Sequence, residues 1–312
     1  MRLRLTRTDA LVLCVVVIWA ATFSVVKIGL REISPLAFAA VRFSSAAVML
    51  LIWVWVAEGR PIIKREDWFW VILVGLTAVG VYQVFFTLGL HYTTASNSSL
   101  ILATVPAWTA MLAAASRQER IAHLQVLGIL LSFGGVALMM LGGGGHVALT
   151  WENVRGDILT LIAAALTASS GVISKRPLQR YSALRVMSVA MVCGSLFLVL
   201  VAWPEIVAQE WARVSLAGWL ALIFTTILGA GIAFVIWFKS IGEIGASRTA
   251  IYNNLIPPVA IVIAFATLGE RLTPLQALGA LVVLAGVALT RFAQTQTEVE
   301  EVSPVSGHRQ LE

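Results

Sequence analysis

The sequence predicts an all-α integral membrane protein with ten transmembrane helices in two inverted five-helix repeats. Three observations predict it. Of 312 residues, 59 % are hydrophobic and 12 % charged, against about 45–50 % and about 25 % in a soluble domain. The apolar residues fall in continuous runs of the length, about 20 residues, that a helix needs to cross a bilayer. These runs lack the period-2 alternation of a membrane β-barrel. Finally, one segment is written twice, 151 positions apart. Pro106, Glu119, Gln125, Gly128, Gly135, Val136, Ala137 and Leu138 recur as Pro257, Glu270, Gln276, Gly279, Gly286, Val287, Ala288 and Leu289. If an odd number of crossings separates the copies, they face opposite sides of the membrane. A device that opens alternately to two aqueous phases needs such an arrangement.

The basic start of the chain leads into an apolar run that passes Trp19 without a small-residue cleavage site. It is therefore helix one and not a signal peptide. The first five crossings are expected at 10–29, 36–57, 68–90, 95–115 and 124–141. The second five are expected at 156–175, 184–203, 219–238, 247–268 and 274–292. Residues 1–141 form the first repeat, 142–155 a glycine-rich linker, 156–292 the second repeat, and 293–312 a polar tail expected to be disordered and cytoplasmic. Thr273, Pro274 and Gln276 read as a capping box with proline at the first helical position, opening helix ten.

Charge supports this order. Sixteen Lys and Arg residues fall on the N-terminal side of the expected membrane and five on the other: Lys27, Arg31, Arg155, Arg213 and Arg271. That bias places both termini in the cytoplasm of an inner-membrane protein. The repeat also extends further. Trp68 matches Trp219 and Ala95-Ser96 matches Ala246-Ser247 at 151. Asp9, Lys27 and Ser34 match Asp157, Lys175 and Ser182 at 148. The glycine faces of helices five and ten permit close approach, within the chain or in a homodimer.

Other classes find no support. Cys14 and Cys193 sit in apolar runs and the four histidines are scattered, so no metal, cofactor or disulfide framework is expected. The net charge of +6 lies between apolar runs and serves topology, not nucleic acid. The expected partners are lipid and a small-molecule solute.

The candidate solute contacts are polar or aromatic residues inside spans. Pro257 removes a backbone donor and opposes the Asn253 carbonyl, so Tyr252, Asn253 and Asn254 are expected at a break within helix nine. Asn97 and Ser98 before Pro106 are the counterpart in helix four. Broken helices offer free backbone groups to polar solutes. Trp19, Thr22 and Phe23 share a face of helix one, and Tyr82, Gln83 and Phe86 one of helix three. Trp237 occupies the repeat position of Phe86, and Ser169 adds a hydroxyl in helix six. Converging aromatics with a few polar atoms suit an organic solute. Arg42 is the one strongly charged residue well inside a span. It either snorkels to the surface or attracts a carboxylate. Asp9 and Asp157 are expected to open their helices at the positive dipole end, and Glu119 and Glu270 to lie in turns. No Asp or Glu falls mid-span, so proton coupling and facilitated diffusion both stay open.

Trp19-Ala20-Ala21-Thr22-Phe23 with Lys27, His91 through Asn97 leading to Pro106, and Gly269 through Pro274 followed by Gln276, Gly279 and Gly286 resemble the drug/metabolite transporter superfamily, specifically its ten-helix EamA-type members. Ser116-Arg117-Gln118-Glu119 departs from that pattern, where Leu-Gly-Glu is usual. The resemblance implies movement of small organic solutes, often export of amino acids or related metabolites. Two rivals stand beside it. A membrane-embedded enzyme with Ser169 or Ser170 as nucleophile lacks a mid-span histidine to activate it. A scaffold or sensor would not need an inverted repeat.

Overall fold

A computed structural model describes residues 7–115, 123–142, 151–244 and 252–302. Among them there is helix and no strand. The helices are α1 (Arg7–Gly29), α2 (Pro35–Glu58), α3 (Trp68–Gly75), α4 (Val81–Tyr92), α5 (Ala95–Leu102), α6 (Val105–Ala115), α7 (His123–Leu141), α8 (Trp151–Leu178), α9 (Ala183–Ala208), α10 (Leu216–Phe224), α11 (Ala233–Ile244), α12 (Ile256–Leu268) and α13 (Pro274–Val302). Seven helical stretches are long and apolar enough to cross a membrane. They include α1, α2, α7, α8, α9, the continuous Arg65–Tyr92 and Leu216–Trp237. Asn253–Leu268 and Pro274–Thr290 are shorter apolar helices. This is a multi-pass, all-helical membrane protein.

Two interruptions have no hydropathy signal. Between α3 and α4, residues Leu76–Gly80 form one wide turn, and the Val81 amide bonds back five residues to Leu76 O. Between α10 and α11, Thr225–Ile232 does the same, with the Ala233 amide bonding to Leu228 O. Shifted by 151 positions, the first wide turn falls inside the second. Such π-type turns widen a helix without ending it, so the apolar run stays continuous.

Helix four is in two pieces. A turn at Ala103 and Thr104 separates the pieces, and Pro106 lies second in α6, where its missing donor costs little. Pro257 likewise sits in the first turn of α12, after the 3-10 turn Asn253–Leu255. That 3-10 turn lies where a break in helix nine was expected, at Asn253 and Asn254 just ahead of Pro257. Residues 247–251 of that expected span lie outside the described residues, as do the Glu119 turn and residues 143–150 of the linker.

Two further boundaries move. Helix α8 starts at Trp151, five residues before the expected 156. Helix α13 continues to Val302, so residues 293–302 are helical and not the expected disordered tail. They are polar, yet contain no Gly or Pro to stop propagation.

The glycine faces meet inside the chain. Helix α7 lies along α13. A Cβ on Gly128 would come 2.5 Å from Thr290 Oγ1, one on Gly135 2.6 Å from Val283 N, and one on Gly286 2.5 Å from Ser132 N. These glycine faces therefore pack on each other within the chain, the first of the two roles that the sequence allowed them. Gly89 and Gly156 join α4 to α8 in the same way. Leu50, Met191 and Leu198 fill the α2–α9 seam. Trp53, Trp55, Leu130, Leu200 and Leu281 are exposed on the outside of the bundle, where acyl chains replace water as solvent.

Candidate functional site

The wide turn between α10 and α11 organises the centre. Its altered register turns two carbonyls toward side chains of other helices. Thr225 O accepts from Arg42 Nε at 3.3 Å, and Gly229 O from Trp19 Nε1 at 3.0 Å. Space is tight at Gly229, where a Cβ would lie 3.0 Å from Thr22 Oγ1 and 3.4 Å from Arg42 Nη2. Arg42 is 6 % exposed. It points inward, which removes the snorkelling explanation. Its guanidinium also lies 4.8 Å from the Phe43 ring centre. Among the described residues it forms no ion pair.

Aromatic rings surround this point. Trp19 lies 5.0 Å from Trp237 and 5.7 Å from Phe234. Phe86 stacks on Tyr82 at 5.6 Å and meets Phe23 edge-on at 5.8 Å. The Tyr82 phenol lies near Arg42 and near Thr167 of α8. Seven candidates thus meet in one linked group: Trp19, Thr22, Phe23, Arg42, Tyr82, Phe86 and Trp237.

Other candidates are placed elsewhere. Gln83 is buried and bonds Thr87 on its own helix at 3.4 Å. Ser169 Oγ donates to Ala165 O one turn back. Tyr252 donates its hydroxyl to Asp9 Oδ1 at 2.8 Å, at the N-terminal end of α1. Asn253 and Asn254 are half-buried beside it. Asn97 and Ser98 are 5 % and 0 % exposed. Asn97 Oδ1 and Ser98 Oγ have no hydrogen-bond partner.

Sequence alone undervalued three charged residues near Asn97. Asp157 does not open its helix. It lies one and a half turns into α8, is 3 % exposed, and accepts from the Thr93 hydroxyl. Lys27 Nζ donates to Leu90 O at 3.2 Å and to Thr93 O. Glu270 caps α5, accepting from the amides of Ala95 at 2.8 Å and Ser96 at 3.0 Å and from Ser96 Oγ at 2.7 Å. Carboxylates capping other helices recur at this end. Glu205 takes the Leu36 amide at 2.8 Å. Glu32 takes the Ser215 amide and hydroxyl, which hold its carboxyl below the ordinary range. The one available sequence signal was the Ala-Ser pair before an apolar run, a helix start whose open amides invite an acceptor. Among the described residues no group of three or more His, Cys, Asp or Glu could hold a metal.

The EamA-like transporter family matches this chain twice, over residues 6–141 and 154–292. The chain belongs to the EamA-like transporter family. A probable terminal-alkyne amino-acid exporter of Streptantibioticus cattleyicolor is 31 % identical over 283 residues, spanning 90 % of this chain and 91 % of its own. An uncharacterized transporter of Archaeoglobus fulgidus is 28 % identical over 302 residues, at 93 % and 99 % coverage. A probable amino-acid metabolite efflux pump of Salmonella typhimurium is 28 % identical over 314 residues, at 97 % and 100 %. A solved crystal structure with 19 % identity shares the fold, with a TM-score of 0.63 over 93 % of this chain and 98 % of its own. The protein is thus a membrane transporter, and the enzyme and scaffold alternatives give way. The buried group around Arg42, drawn from α1, α2, α4 and α11, is the candidate solute site.

Proposed function

We propose that this EamA-like transporter exports a small organic carboxylate, an amino acid or related metabolite, across the inner membrane by alternating access. Ten crossings in two inverted halves, with both termini cytoplasmic, would place the Arg42 group in the seam between halves. The carrying observation is the buried Arg42 without an ion-pair partner among the described residues. A cation kept in a low-dielectric site is costly unless a counter-charge arrives. A solute carboxylate supplies that charge, while Trp19, Tyr82, Phe86 and Trp237 receive its apolar portion. The printed names of two relatives, an amino-acid exporter and an amino-acid metabolite efflux pump, agree with this solute class and direction.

The decisive experiment is flux in proteoliposomes, comparing amino acids with their amides and with aromatic amines. The carboxylates are expected to move and the amides to move about tenfold more slowly or not at all. Arg42→Gln is expected to abolish that preference. Equal flux of acid and amide in the unmodified protein overturns the assignment. Reporter fusions placing residue 119 and Glu270 on the same side of the membrane overturn the inverted arrangement.

A further inference from the structure

We infer that Lys27, Asp157 and Glu270 form a gate that closes the exterior mouth of the path above Asn97 and Ser98. This rests on the orientation and transport reading proposed above.

The turn joining α4 to α5 is held by three side chains from three other elements. Lys27 of α1 holds the carbonyls of Leu90 and Thr93. These lie at the C-terminal end of α4, where acceptors lack helical partners and a cation meets the negative dipole end. Glu270, in the turn between α12 and α13, holds the amides of Ala95 and Ser96, the positive end of α5. Asp157 of α8 holds the Thr93 hydroxyl. Two of these grips come from the second half of the chain and fasten onto the first. A movement of this turn away from α8 and α12 breaks both of those grips at once.

What lies behind the clasp is polar and unsatisfied. Asn97 Oδ1 and Ser98 Oγ are buried without partners, which is costly unless water or a solute reaches them at another stage. At the other end of the bundle, the described residues are more exposed. Lys175 stands where Lys27 stands in the repeat, yet it is exposed. Tyr252, Asn253 and Asn254 near that end are half-buried, whereas Thr93, Ser96, Asn97 and Ser98 are buried. Among the described residues the clasp is made at the Lys27 end, which the proposed orientation makes the exterior one.

The test uses thiol accessibility. In a chain with Cys14→Ala and Cys193→Ala, Ser98→Cys is a single reporter, read with a membrane-impermeant maleimide from the exterior of proteoliposomes. Slow labelling is expected in this parent. Lys27→Met, Asp157→Ala and Glu270→Gln are each expected to speed it about tenfold, as the closed population falls. Lys27→Arg, which keeps the cation, is expected to stay slow. Thr93→Val removes one hydroxyl and no charge, and serves if a charge variant fails to fold. Its labelling is also expected to rise. Unchanged labelling in folded variants overturns the gate, as does a parent that reacts as fast as an Arg31→Cys surface reporter. If labelling rises but the unmodified chain moves no solute, the clasp stands and the transport reading falls. If solute moves but labelling never changes, the reverse holds.

Discussion

The Trp19 indole N–H donates to the Gly229 carbonyl at 3.0 Å, fixing α1 to the wide turn between α10 and α11. That bond spans the two halves of the chain and places an aromatic ring beside the Arg42 guanidinium's own anchor, Thr225 O. Trp19→Phe keeps most of the ring and removes the donor. It is expected to destabilise the protein by about 1 kcal/mol and to raise the KM for solute more than it lowers the maximal rate. Thermal melting in detergent and flux assays measure the two effects. Unchanged values in both assays would remove the bond from the site.

Gly134 and Gly135 are neighbours with opposite expectations. A Cβ on Gly134 meets nothing within 4 Å, while one on Gly135 comes within 2.6 Å of backbone on α13. Gly134→Ala is expected to be neutral or to stabilise by about 0.5–1 kcal/mol. Gly135→Ala must push α7 off α13 and is expected to cost about 1–3 kcal/mol. Unfolding of the two variants side by side checks this; equal stability would mean that the helices are not in backbone contact.

The cap on α10 depends on an ionised carboxylate. Hydrogen bonds from the Ser215 hydroxyl and amide lower the Glu32 pKa. A group depressed in the folded state contributes stability above its unfolded value, and loses it as pH falls through the folded one. The contribution should therefore be intact at neutral pH and fade below about pH 4.3. Melting temperature is expected to fall through this window less in Glu32→Gln than in the unmodified protein. Parallel pH curves for the two would count against the cap.

Pro257 occupies the first turn of α12, where a proline leaves no helical bond unmade. Pro257→Ala is expected to change stability by less than about 0.5 kcal/mol and leave flux unchanged. A large loss of transport would mean that this proline does more than start α12.

Much of the candidate site was legible before any helix had a neighbour. Trp19, Thr22 and Phe23 share a face because helical spacing dictates it. Phe86 and Trp237 were paired by the repeat, and both enter the ring cluster. Asp157 was misjudged because helix boundaries are weakly encoded. Once α8 begins at Trp151, the same aspartate moves from a helix end to a buried position.

Hydropathy sums along the chain, so composition and run length alone determined a helical membrane protein. The duplicated spacing was equally a property of the string. Which faces meet is not a sum along the chain. Only the tertiary structure turned Arg42 inward to Thr225 O, closed the glycine faces of α7 and α13 on each other, and brought Lys27, Asp157 and Glu270 to one turn. Each of those outcomes depends on a partner from a distant helix, and backbone carbonyls and amides, the commonest partners here, look identical at every position of a sequence.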